Sequence, residues 1–140
     1  MTVNQSPYKI LILGNDKIQK ALLQSSLESN GFSVCNSNLK TNEIQAIEQC
    51  NPDVIILYSN SSNNEISVCK RIRETSNIPI LVLSSLNKAG MVEKTLNAGA
   101  DAYLIKPISD NILYAHLNTL SRRSRVEKEA KDRLSESIRS

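Results

Sequence analysis

Few side chains in this 140-residue chain have the chemistry of a site. The single histidine, His116, has no second metal ligand at helical spacing and reads as a solvated or interface residue. Three cysteines (Cys35, Cys50 and Cys69) are odd in number and lack metal-ligand spacing. Each lies in an apolar stretch, so they are expected to be buried, reduced thiols. There is no Gly-rich phosphate loop and no nucleophile–His–acid set, and enzymatic chemistry is not expected. What remains is a position. Asn51-Pro-Asp-Val-Ile-Ile-Leu-Tyr-Ser carries four apolar, largely β-branched residues in a row, Val54 to Leu57, as a strand buried on both faces would. In open parallel sheets ligands gather at the carboxyl ends of the strands, and Tyr58 stands at that end.

The elements that would hold Tyr58 follow in order. Lys9–Leu13 is the first strand, ended by Gly14-Asn15-Asp16, and a helix runs from Lys17 to Ser29 with Ile18, Leu22, Leu23 and Leu27 as its apolar set. Asn30-Gly31 stops it. Phe32–Cys35 is a short second strand, and Thr41 offers a cap for a helix from Asn42 to Cys50. Beyond the central strand, a polar loop over Asn60–Asn64 leads to a helix from Glu65 to Glu74. Pro79–Ser84 is a fourth strand, Asn87–Asn97 a helix closed by Gly99, Ala102–Ile105 a fifth strand, and Asp110 opens the last helix. Five strand–helix units with right-handed crossovers give a doubly wound α/β fold, a flavodoxin-like five-stranded parallel sheet in a three-layer sandwich with an extended C-terminal helix. Hydrophobic residues make up 40% and charged residues 22%, as in an ordinary globular domain, and no apolar run approaches the roughly 20 residues of a membrane span. A cytoplasmic location is expected.

This order of elements resembles the receiver domain of bacterial two-component response regulators, from Tyr8 to Leu120. The resemblance is carried by Asn51-Pro-Asp-Val-Ile-Ile-Leu, Val68-Cys-Lys-Arg-Ile-Arg, Ile80-Leu-Val-Leu-Ser and, most specifically, Gly99-Ala-Asp-Ala-Tyr-Leu-Ile-Lys-Pro. It implies magnesium-assisted transfer of a phosphoryl group to an aspartate. An acidic pair after the first strand and an acceptor after the third would hold the metal, and a Ser/Thr and a lysine the phosphoryl oxygens. The matching positions are Gly14 and Asn15 for the pair and Tyr58 for the acceptor, so all three carboxylates are missing. Asp16 falls one place late, where the family's residue points away from the metal. Ser84, Tyr103 (the family's switch aromatic), Lys106 and Pro107, with its usually cis bond, are retained. No metal and no magnesium are therefore expected. Lys106 either reaches carbonyls of the vacated cleft or the Tyr58 hydroxyl. Ser84 either keeps its family role or satisfies backbone at a strand end, and Tyr103 is either a switch or a fixed aromatic.

Charge divides the chain. Residues 1–120 carry ten Lys/Arg and ten Asp/Glu, whereas residues 121–140 carry seven and four. We expect a disordered segment over 1–7, a receiver-like domain over 8–120 and a charged helical linker over 121–140 leading to an output domain. With Leu113, Leu120, Glu127 and Leu134 at a, and His116, Arg123, Ala130 and Ser137 at d, the tail is a poor coiled coil. Arg122, Arg123 and Arg125 lack interleaved aromatics, so nucleic acid is expected only through an output domain. Where winged-helix response regulators carry an acid and an arginine for a charged dimer contact, this chain has Ala102 and Asn111, leaving an apolar homodimer through the fourth and fifth helices. Three functions compete: a phosphorylation-independent module binding a regulatory protein or its own output domain, a phosphorylatable receiver, and a small-molecule module reusing the cleft.

Overall fold

A computed structural model describes residues 7–37, 42–59, 64–85 and 90–139. The expectations for the disordered N-terminus over 1–6, the Thr41 cap, the loop over 60–63 and the start of the fourth helix at 87–89 lie outside the described residues. The elements are β1 (Lys9–Leu13), α1 (Lys17–Ser29), β2 (Ser33–Ser37), α2 (Glu43–Cys50), β3 (Val54–Ser59), α3 (Asn64–Thr75), β4 (Ile80–Ser84), α4 (Met91–Asn97), β5 (Ala102–Ile105) and α5 (Asp110–Arg139). The strands form one parallel sheet in the order β2-β1-β3-β4-β5, the expected doubly wound α/β fold.

Alternation along the strands builds two cores. Leu11, Leu13, Ile55, Leu57, Ile80 and Val82 face α2 and α3, where Ile47, Val68, Cys69 and Ile72 meet them. Ile10, Ile12, Val54, Ile56, Tyr58 and Leu81 face α1 and α5, meeting Leu27, Leu113, Leu117 and Leu120. Every residue of β3 is buried, because both faces of the central strand are covered.

Local chemistry sets the ends. Asp16 caps α1, its Oδ1 accepting from the Gln19 amide at 3.0 Å. Asn42 caps α2, its Oδ1 accepting from the amides of Ile44 at 3.0 Å and Gln45 at 3.4 Å. The second strand lies later than expected, and Phe32 drops out of it to fill the core against α1 and α5. Gly99 turns the chain from α4 toward β5 at φ +123°, and a β-carbon there would run into the Arg73 stem. Gly99→Ala is expected to lower stability by about 1–3 kcal/mol, measured by thermal unfolding, since both backbone strain and the Arg73 packing oppose it.

Part of the apolar set of α1 stays outside the core, and the expectation for two of the cysteines is corrected. Ile18 and Leu22 do not face the core but lie 74% and 61% exposed. The inner face of α1 instead carries Lys20, Leu23 and Leu27, and Lys20 is only 5% exposed because its Nζ donates to the Ser37 carbonyl at 2.9 Å. Cys35 and Cys50 are not reduced thiols. They are joined as a disulfide, since the end of α2 comes back beside β2 and brings their α-carbons to 6.3 Å, within bridging range. Cys69 is a buried free thiol, as expected, and burial raises its pKa to about 11.

The last helix also differs in where its packing ends. Ser121 and Ser124 are buried, and Arg123, Arg125 and Lys128 are bonded to the body, so the helix does not leave it at Leu120. The fastening acid is Asp53, which is 2% exposed in the turn before β3. Its Oδ2 accepts from the Lys9 amide at 2.8 Å and from Arg125 Nη2 at 3.1 Å. Its Oδ1 accepts from Arg125 Nε at 3.0 Å and Lys128 Nζ at 3.3 Å. A second acid, Asp101, takes Arg123 at 2.8 Å, Arg73 at 2.6 Å and the Ile80 amide at 2.9 Å. No helix of the described residues is long and apolar enough to cross a membrane.

Candidate functional site

The strand order changes direction between β1 and β3, and the crevice of a doubly wound sheet opens there, at the strands' carboxyl ends. β1 delivers Gly14 and Asn15 to it, β3 delivers Tyr58, and β5 delivers Lys106. The parallel register sets Leu13 beside Leu57, so the residues that follow, Gly14 and Tyr58, are held next to each other. A β-carbon on Gly14 would lie 2.9 Å from the Tyr58 carbonyl oxygen and 3.1 Å from the Tyr58 β-carbon. Backbone already occupies the place where a side chain at position 14 would begin.

The Tyr58 side chain is 5% exposed and packs on the α1–α5 side of the sheet. Its hydroxyl accepts from Lys106 Nζ and donates to Gln19 Oε1 at 3.3 Å. The same ammonium lies 3.8 Å from the Tyr58 ring centroid, so one contact combines a charge-assisted hydrogen bond with attraction to the aromatic face. Of the two partners foreseen for Lys106, the structure shows the Tyr58 hydroxyl. The Lys106–Pro107 bond is cis, as in the resemblance, and the Lys106 amide donates to the Ser84 carbonyl at 2.8 Å.

The other singled-out residues take separate places. Asn15 is exposed at the rim and Pro107 is exposed beyond it. Ser84 is fully buried at the end of β4, in register with Ser59 of β3. The Tyr103 hydroxyl is buried beside it, and burial raises the Tyr103 pKa, with the Ser84 hydroxyl acting in the opposite sense and the Glu65 carboxylate adding to the rise. His116 is exposed on α5, away from the crevice. Asp16 is spent on capping α1.

Two residues of the site were not foreseen. Gln19 closes the contact to the Tyr58 hydroxyl, and Lys20 approaches Gly14, its Cδ 3.5 Å from where a β-carbon would stand. Burial, aided by the Lys17 charge, lowers the Lys20 pKa. The spacing of Asp16, Lys20, Leu23 and Leu27 is a helix face, and that period was the available signal. Among the described residues, the crevice thus collects a phenol, an amide and two lysine stems, a donor set unlike the hard, anionic oxygens that magnesium takes.

Fold and crevice together define the class, and the chain belongs to the response regulator receiver domain family, whose model matches residues 10–118. It is 32% identical over 124 residues to the response regulator MprA of Mycobacterium avium (strain 104), covering 87% of this chain and 54% of that protein. It is also 32% identical over 122 residues to the transcriptional regulatory protein AfsQ1 of Streptomyces coelicolor, covering 86% of this chain and 54% of that one. The chain therefore spans about half the length of the curated relatives it matches. Among solved structures, a two-component response regulator from Clostridium difficile superposes with a TM-score of 0.75 at 33% identity, covering 83% of this chain and 97% of that one.

Proposed function

We propose that this receiver domain works without phosphoryl transfer, as an interaction module in signal transduction whose state is set by the protein it binds. The observation that carries this reading is the Lys106–Tyr58 contact. A lysine able to neutralise a phosphoryl group is engaged by the side chain standing where an acceptor carboxylate would be. Position 14 has backbone against it, Asn15 is uncharged, and Asp16 serves the helix, so no carboxylate is left to hold magnesium there. No magnesium or other cofactor takes part.

The partner is a regulatory protein or an output domain joined beyond α5, in the cytoplasm. Ile18 and Leu22, one turn apart and exposed on α1, give an apolar contact at the edge of the crevice, with Lys17 beside them. Leu96 on α4 and Ile112 on α5, 40% and 50% exposed, offer an apolar surface for a homodimer through the fourth and fifth helices. Neither a membrane nor a direct nucleic-acid contact belongs to this reading. Contact with nucleic acid would come only through an output domain.

Phosphorus-labelled acetyl phosphate with magnesium tests it. The unmodified protein is expected to stay unlabelled under conditions that label a receiver with its acidic set intact. Magnesium-dependent, base-labile label would identify an acyl phosphate and establish the phosphorylatable receiver instead.

A further inference from the structure

The Cys35–Cys50 disulfide lies away from the crevice and outside the function just proposed. Cys35 is on β2, the edge strand of the sheet, and Cys50 is the last residue of α2. α2 is only eight residues long, too short to hold its shape without tertiary contacts. Its hold on the body comes from Ala46, Ile47 and Cys50 in the core, from Glu43 bonded to Arg71, and from the disulfide. The two cysteines line an open cavity of about 250 Å³ with Leu11, Asn36, Ala46 and Gln49. Cys35 is half-buried and Cys50 is 6% exposed, so the cavity exposes the bridge to a small thiol from the Cys35 side. Cys69 is fully buried on the neighbouring α3 and has no such access.

We propose that Cys35 and Cys50 form a reversible thiol–disulfide switch whose oxidation state sets how firmly α2 is held to the sheet edge. The proposal rests on the cytoplasmic reading above, because disulfides in that compartment are usually transient and redox-sensing rather than permanent. Reduction takes a dithiol. Its thiolate attacks the Cys35 sulfur, the bridge breaks, and Cys50 leaves as a thiolate that takes up a proton. The second thiol of the reductant then displaces Cys35, giving two protein thiols and the oxidised reductant, a transfer of two electrons and two protons. Oxidation takes hydrogen peroxide. One thiolate becomes a sulfenic acid, the other thiol condenses with it, and two waters are released in all.

The full chain serves for the test. After equimolar hydrogen peroxide, denaturation and iodoacetamide without reductant, mass spectrometry is expected to find one alkylated cysteine, Cys69. After dithiothreitol under native conditions, iodoacetamide is expected to modify Cys35 and Cys50 in the folded protein, and Cys69 only once it is denatured. Amide exchange over Glu43–Cys50 is expected to be about tenfold faster in the reduced protein than in the oxidised one. Cys35→Ser should exchange at the reduced rate in both conditions, and Cys69→Ser should keep the full redox response. Three alkylated cysteines after peroxide, a bridge that resists native dithiothreitol, or exchange over α2 indifferent to redox state would each overturn the switch. None of these readouts depends on whether the crevice accepts phosphoryl, so the two proposals stand or fall separately.

Discussion

Asp53→Ala is expected to lower the stability of the domain by about 3 kcal/mol, or roughly 10 °C in melting temperature. One carboxylate, 2% exposed, accepts from the Lys9 amide, from Nε and Nη2 of Arg125 and from Lys128. Removing it leaves a strand amide without its partner and two cations without a counter-charge. The side chains of Arg125 and Lys128 keep 26% and 29% exposure and can turn toward water, which holds the loss to the lower part of the range for broken buried pairs. Arg125→Gln should cost less, since Asp53 keeps Lys128 and the Lys9 amide, and the double variant should show coupling of about 1 kcal/mol or more. Urea unfolding of the four proteins measures it. A loss below about 0.5 kcal/mol for Asp53→Ala, the level of an ordinary surface change, would mean that α5 is not fastened at this point.

The second large effect concerns rebuilding the acidic set. Gly14→Asp together with Asn15→Asp and Tyr58→Asp supplies every carboxylate of the family pattern, yet this triple variant is expected not to regain phosphoryl transfer. A β-carbon at position 14 would stand 2.9 Å from the carbonyl oxygen of residue 58, and that backbone atom remains when the tyrosine is replaced. The neighbouring strands are held in register from Ile10–Val54 to Leu13–Leu57, so no rotamer relieves the contact. Gly14→Ala alone should already cost about 1–3 kcal/mol by overpacking. Denaturation of the alanine variant and acetyl phosphate labelling of the triple variant check the two halves. Strong label on the triple variant would show that β1 and β3 part easily.

The sheet was legible because its strands are short, continuous apolar runs that only a two-sided burial explains, as in Val54–Leu57 and Ile80–Leu83. Tyr58 and Lys106 could be placed together for a related reason, since both follow the last apolar residue of a strand. On α1, Ile18 and Leu22, one turn apart, imitate a core stripe although both are exposed. The true inner face includes Lys20, whose burial depends on a backbone carbonyl of β2, and periodicity does not reveal such an acceptor. Nothing in the sequence singles out Asp53, because its partner Arg125 is 72 residues away. The Cys35–Cys50 pairing was hidden similarly, since only the folded α2 brings the two residues together across a separation of 15.

Helix α5 runs 30 residues, about 45 Å at 1.5 Å per residue, and is pinned to the body as far as Lys128. From Glu129 to Leu134 its side chains are exposed, so this part behaves as a shaft turning with the domain. A pinned shaft fixes an angle as well as a distance. One residue inserted after Lys128 rotates everything beyond it by about 100° and advances it by about 1.5 Å. Seven inserted residues bring the far end back to within about 20° of its original heading, some 10 Å further out. Any protein that reads this end of the helix therefore reads the domain's orientation, and the Asp53 contact sets the zero of that dial.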